Sequence, residues 1–243
     1  MTALGTPARH LGAVGSTMDE AAAWAEAPHG ALVVAEHQRA GRGRHGRAWA
    51  AVPGQSLLFT LVLRPALAPD RLGLVPLAAG LAVADVADAF GAAATLKWPN
   101  DVRVAGRKLA GVLTETTWAA GRPRVLLGVG LNVAQATFPA DLAATSLRLE
   151  TGQPVDRLAP LGPILGRLAE LLALAEAAPR RLVSLVEGRL EGVDTSIEVR
   201  EPASGRVVAV GCVLGLAPDG ALRLATDAGE RAVYAGEVTL RPS

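Results

Sequence analysis

Two segments of the chain concentrate positive charge on glycine-bearing backbone. The first is Gly41-Arg42-Gly43-Arg44-His45-Gly46-Arg47-Ala48-Trp49. The second begins Lys97-Trp98-Pro99-Asn100-Asp101 and closes with Arg107-Lys108-Leu109-Ala110-Gly111. Glycine lets backbone approach a ligand closely, and guanidinium and ammonium groups neutralise anions. The pairing suits a site that holds polyphosphate beside a second anion. A Gly/Arg loop can also close over a reactive intermediate. Taken singly, each cluster also fits a solvated turn; the two together favour a site, because both lie beside strands that should be neighbours.

Other chemistries are excluded by spacing. The glycines at 41, 43 and 46 satisfy G-x-G-x-x-G, yet a dinucleotide fingerprint needs a helix N-terminus directly after it. Here Trp49-Ala50-Ala51-Val52-Pro53-Gly54 intervenes and a strand pattern follows. There is no G-x-x-x-x-G-K-[ST] run, so the chain is not a P-loop enzyme. Histidines 10, 29, 37 and 45 lack metal-ligand spacing. Cys212 is alone, which rules out an internal disulfide and a Cys-based metal cluster; its apolar surroundings fit a small buried hydrophobe. Gly128-Val129-Gly130-Leu131-Asn132-Val133 is an apolar strand with two glycines, which fits either close ligand approach or tight packing.

The elements that must position these residues are readable from pattern. Ser16-Thr17 before Met18-Asp19-Glu20 predicts a capped helix with acids in its first turn. Ala31–Glu36 and Ser56–Leu63 read as strands, and Leu74–Phe90 as a long Ala/Leu helix. Leu96–Pro99 and Val102–Ala105 read as short extended pieces. Ala110–Thr117 and Arg124–Val129 read as paired strands around the turn signal Gly121-Arg122-Pro123. Helices are expected at 162–175 and 179–190, and residues 1–15 are weakly patterned. Strands clustered before helices give an α+β class.

After Gly192 the texture changes to short alternating segments. Pro202-Ala203-Ser204-Gly205, Pro218-Asp219-Gly220 and Asp227-Ala228-Gly229 punctuate them. The expectation is a large unit over 1–192 and a small all-β barrel over 193–243. With 243 residues there is room for both. The net charge of +1 argues against a general nucleic-acid-binding face. No signal peptide is apparent, and apolar stretches are broken short of a membrane span, so a cytoplasmic protein with no membrane and no nucleic-acid partner is expected.

Read in order, Ser16-Thr17, Glu36-His37-Gln38-Arg39-Ala40-Gly41-Arg42-Gly43-Arg44, Lys97-Trp98-Pro99-Asn100-Asp101, Arg107-Lys108-Leu109-Ala110-Gly111 and Gly128-Val129-Gly130-Leu131-Asn132 resemble the motifs of biotin protein ligases. The resemblance runs from about Gly15 to the C-terminus. It implies a catalytic domain with a mixed sheet flanked by helices, related to lipoate ligases and class II synthetases, followed by an SH3-like barrel. It implies biotin and ATP as substrates, Mg²⁺ as cofactor, and a biotin carboxyl carrier domain of an acyl-CoA carboxylase as partner. The chain resembles the monofunctional type without an N-terminal DNA-binding domain. A homodimer stays open.

The resemblance also assigns roles. Ser16, Thr17 and Gln38 match the biotin ring pocket, and Gly41, Arg42, Gly43 and Arg44 match the loop over biotin and the adenylate. Lys108 matches the lysine that meets the biotin carboxylate and phosphate. Lys97, Trp98, Asn100 and Asp101 belong to the motif near the nucleotide, with Asp101 the metal candidate. Gly111 and Asn132 match positions near biotin and adenosine. Lys108, Arg44 and Asp101 are the expected catalytic set. Met18 departs from the family, which often has Asn there. A lipoate ligase and a sensor without turnover remain the alternatives.

Overall fold

The structure is a computed structural model that describes residues 4–119, 121–201, 203–234 and 237–240. Seven strands form one sheet: β1 (Ala8–Val14), β2 (Leu32–Gln38), β3 (Ser56–Leu63), β4 (Thr95–Lys97), β5 (Asp101–Val104), β6 (Arg107–Ala119) and β7 (Arg122–Asn132). Their order is β1-β2-β3-β7-β6-β5-β4. Only β1 and β2 run parallel; the other pairs are antiparallel, so the sheet is mixed.

β3 is buried at all of its positions because both faces of the sheet are covered. Leu57, Phe59, Leu61 and Leu63 enter the large core with helix α2 (Leu74–Ala89), while Val62 joins the smaller core beneath helix α1 (Thr17–Ala23). That split follows the two-residue period of a strand. α1 starts where Ser16 Oγ accepts from Met18 N at 3.2 Å, the expected cap. Its C-terminal carbonyls, Ala21 O and Trp24 O, accept from the Arg124 guanidinium on β7.

α2 lies between the sheet and the helices α4 (Leu161–Ala177) and α5 (Pro179–Glu187), with α3 (Leu147–Thr151) a short turn before them. Segment 69–89 is apolar and long enough to pass for a membrane span, but it is mostly buried inside the protein as its core helix. A helix buried along most of its length needs little polar surface, hence its mostly Ala, Leu and Val composition, with Asp85 and Asp88 near its C-terminal end.

The chain beyond α5 forms β8 (Ser196–Arg200), β9 (Val207–Leu216), β10 (Leu222–Thr226), β11 (Gly229–Val233) and β12 (Glu237–Leu240). They build a second, antiparallel sheet in the order β11-β10-β9-β8-β12. The expected β-rich tail is present as this SH3-like unit; Pro202, Ala235, Gly236 and residues 241–243 of that region lie outside the described residues. The two units share one continuous apolar core. Polar ties reinforce it: Leu216 N donates to Glu187 Oε1 at 2.6 Å, and the Trp98 indole N–H donates to Gly220 O at 3.1 Å.

Three elements escape the sequence pattern. β1 is an exposed edge strand whose side chains show no apolar alternation. α3 is a single capped turn, and β12 pairs with β8 far from it in sequence. The β6–β7 hairpin is longer at both ends than its apolar centre predicts.

Candidate active site

The cationic segments meet on one wall of a cavity of about 430 Å³. Ser16, Thr17, Gln38, Arg42, Gly43, Arg44, Lys97, Trp98, Asn100, Asp101, Lys108, Gly111 and Asn132 all line it. Gly41 lies just behind the wall: a Cβ there would stand 2.8 Å from Gln38 Nε2 and 3.0 Å from Trp49 O, so glycine at this point serves packing.

One end of the cavity is neutral and polar. Gln38 Oε1, at the end of β2, accepts from Thr17 N at 2.7 Å and from Thr17 Oγ1 at 2.9 Å. Thr60 Oγ1 donates to Thr17 Oγ1 at 2.8 Å from β3. Such a chain of fixed donors and acceptors suits an uncharged polar ring. Met18 and Phe59 add apolar surface beside it.

The other end is charged. Lys108 Nζ stands 2.6 Å from Asp101 Oδ1 and 5.5 Å from the centroid of the Trp49 ring. β5 and β6 hold the pair, since Asp101 pairs with Gly111 and a register shift follows at Val102/Arg103. Arg44 NH1 donates to Asn100 Oδ1 at 3.4 Å, and Asn100 Nδ2 donates to Val112 O at 2.8 Å. Burial lowers the Arg44 pKa below its ordinary value, opposed by Asp101 and assisted by Arg47. Burial likewise lowers Lys97, with Arg103 adding to the effect and Asp101 opposing it. Charges desolvated without full compensation favour an anionic ligand.

Two expected ligand contacts are engaged within the protein. Asn132 Nδ2 donates to Thr145 O at 3.0 Å, which fixes the segment carrying Ala144, itself part of the cavity wall. Arg42 donates through Nε to Glu115 Oε1 at 3.0 Å and through NH1 to Asp19 Oδ1 at 2.7 Å. Arg42 therefore meets carboxylates here rather than presenting a free fork to phosphate.

The Gly/Arg loop is braced by its own backbone hydrogen bonds. Gly43 N donates to Arg47 O at 2.7 Å and Trp49 N to Gly41 O at 2.9 Å. His45 (φ 57°) and Gly46 (φ 73°) turn the tip in the left-handed region, as in a tight hairpin turn. Trp49, at the C-terminal end of the loop and without a role legible from sequence, is central to the site. Its indole lies on Gly111 and Gly130, residues that face each other across β6 and β7. A Cβ on Gly130 would come within 2.5 Å of Trp49 Cε2. Trp49 Nε1 is buried without a hydrogen-bond partner, a donor ready for a ligand acceptor. Gly111 and Gly130 could have signalled this only to a reader who knew that they pair.

Among the described residues no cluster of three His, Cys, Asp or Glu side chains could hold a metal ion. Asp101 alone offers a carboxylate in the cavity, and one of its oxygens is on Lys108. That set does not build a metal cage but fits an ion carried on nucleotide phosphates, as Mg²⁺ commonly is.

Comparison with known proteins agrees with this geometry. Residues 14–132 match the Biotin/lipoate A/B protein ligase family, and residues 197–241 match the biotin protein ligase C terminal domain. A Mycobacterium tuberculosis protein named biotin–[acetyl-CoA-carboxylase] ligase is 38% identical over 217 residues, covering 86% of this chain and 78% of the relative. The chain belongs to the biotin protein ligase family. A Paracoccus denitrificans biotin protein ligase of the same name is 37% identical, with 86% and 89% covered. The solved biotin protein ligase from Aquifex aeolicus in complex with biotin and ATP superimposes with a TM-score of 0.84 at 29% identity, covering 98% of this chain and all of that one. The mixed sheet and the C-terminal SH3-like unit are thus those of biotin protein ligases.

Proposed function

We propose that the chain is an ATP-dependent biotin protein ligase acting in two steps. In the first, a biotin carboxylate oxygen attacks the α-phosphorus of ATP. The bond to the β-phosphate oxygen breaks, pyrophosphate leaves, and biotinyl-5′-AMP remains. In the second, a neutral lysine amine of an acceptor attacks the acyl carbon, the nitrogen gives up a proton to Asp101 or water, an amide forms, and AMP leaves with the anhydride electrons. The observation that carries the reading is the cavity itself, with a neutral polar end at Thr17 and Gln38 and Lys108 held at 2.6 Å by Asp101 at the other.

The roles of individual residues follow from their positions. Two anions must be brought together, so the main task is neutralisation and alignment. Lys108, aimed by Asp101, meets the carboxylate and the α-phosphate. Arg44, steered by Asn100, adds charge from the loop. Mg²⁺ bound on the nucleotide would neutralise phosphate charge, with Asp101 its protein contact. Trp49 covers the cavity and shields the mixed anhydride from water. The acceptor is a biotin carboxyl carrier domain of an acyl-CoA carboxylase, and a cytoplasmic setting fits ATP use and the free Cys212. The match of the C-terminal unit to biotin protein ligases favours biotin over lipoate.

The test is ATP–pyrophosphate exchange with biotin and lipoate in parallel. Biotin-dependent exchange is expected, falling about 100-fold or more in Lys108→Ala, in line with the loss of one charge-stabilising group. Exchange with lipoate alone would make the chain a lipoate ligase, and exchange with neither would leave a binding protein without turnover.

A further inference from the structure

We infer that Glu115, with Asp19, is a positioning residue that clasps the Gly/Arg loop shut through Arg42. Glu115 lies on β6 two residues beyond Leu113 and four beyond Gly111, so it leaves the sheet on the same face as those two cavity residues. Its two oxygens receive Arg42 Nε at 3.0 Å and NH2 at 3.3 Å, a fork on a carboxylate. Asp19, in the first turn of α1, takes the remaining arm at 2.7 Å. The guanidinium thus joins three elements at the mouth of the cavity: the loop, α1 and β6. The Glu115 bond is the chief reason that the Arg42 pKa is raised above its ordinary value.

The remainder of the loop shows why such a clasp matters. The backbone bonds of Gly43 with Arg47 and Trp49 with Gly41 are internal to the loop and do not fix it to the body. Trp49 rests on a floor of two glycines beside Lys108, and Arg44 reaches Asn100 at 3.4 Å. Arg42 supplies direction. Its pairs are partly exposed, with side-chain exposures of 31% for Arg42, 42% for Glu115 and 60% for Asp19, so they should hold the loop while letting it open. A fully buried pair would lock it.

The inference rests on the ligase reading, and the experiment separates the two. Its first arm needs no substrate: tryptic cleavage after Arg42, Arg44 and Arg47 is followed by mass spectrometry in the free protein, at low and high salt. Loss of a partly buried, charge-assisted fork should raise cleavage in Glu115→Gln about tenfold and in Asp19→Asn less. Cleavage of the unaltered protein should rise with salt, and that rise should shrink in Glu115→Gln to the part carried by the remaining Arg42–Asp19 pair. A merely structural role would leave the salt response in place. The second arm is escape of preformed biotinyl-5′-AMP, expected about tenfold faster in Glu115→Gln with its rate of formation changed far less. Equal cleavage and equal salt response in both variants overturns the clasp. A clasp seen in the first arm, with no biotin-dependent adenylate in the unaltered protein, overturns the ligase reading and leaves the clasp standing.

Discussion

At the residue scale, the site works by close approach between side chains and bare backbone. Gly130 and Gly111 have no side chain because Trp49 needs their surface, with the indole 2.5 Å from where a Gly130 Cβ would stand. In Gly130→Ala the indole must leave the floor. The expected result is a red shift of the Trp49 contribution to fluorescence, read against a Trp49→Phe background, and a stability loss of about 1–3 kcal/mol for overpacking. An unshifted spectrum would mean that Trp49 does not rest there. The lysine, arginines and polar triplet of the cavity were legible because their types announce chemistry. Trp49, Glu115 and Asp19 were not, since an aromatic residue and two acids gain meaning only once a register and a helix bring them beside the loop. The sequence placed Arg42 in the loop over the ligand, while spacing alone could not show the two carboxylates, Glu115 and Asp19, that surround it.

At the scale of elements, the turn that leads into β2 contains a titratable tie. His29 Nδ1 accepts from Arg64 N at 3.0 Å, joining the start of β2 to the end of β3. Burial lowers the His29 pKa below 6.5; Glu176 opposes this and Arg64 reinforces it. The neutral ring is the form the fold prefers. Its contribution to stability is therefore complete above pH 6.5 and lost as pH falls from there towards the lowered value. The melting temperature should drop between pH 7.5 and 5.5 by more than in His29→Gln. Parallel curves would remove His29 from the account. Most elements were legible because buried strands and the wrapped α2 leave long apolar runs. β1, α3 and β12 were not: an exposed edge, a single turn and a distant pairing leave no periodic signal.

At the scale of the molecule, one tryptophan spans the two units. Trp98 lines the ligand cavity, and its indole N–H reaches Gly220 O between β9 and β10 at 3.1 Å. Trp98→Phe removes the bond and part of a buried ring, so thermal unfolding should show a loss of about 1 kcal/mol for the bond plus a further cost for the cavity. An unchanged midpoint would show that the Trp98–Gly220 bond is not what joins the units. The change of texture after Gly192 was visible in sequence, whereas this junction was not, because a backbone carbonyl carries no residue signature.

The same bond bears on how relatives with this architecture can be recombined. The tail is not a module that a seam after α5 would release intact, because the turn at Gly220 forms part of the setting of the KWPND segment. A chimaera that receives another tail will keep the cavity only if the incoming turn offers a carbonyl at that height above the indole. The compatibility of exchanged tails should therefore track the geometry of one loop more closely than overall sequence identity.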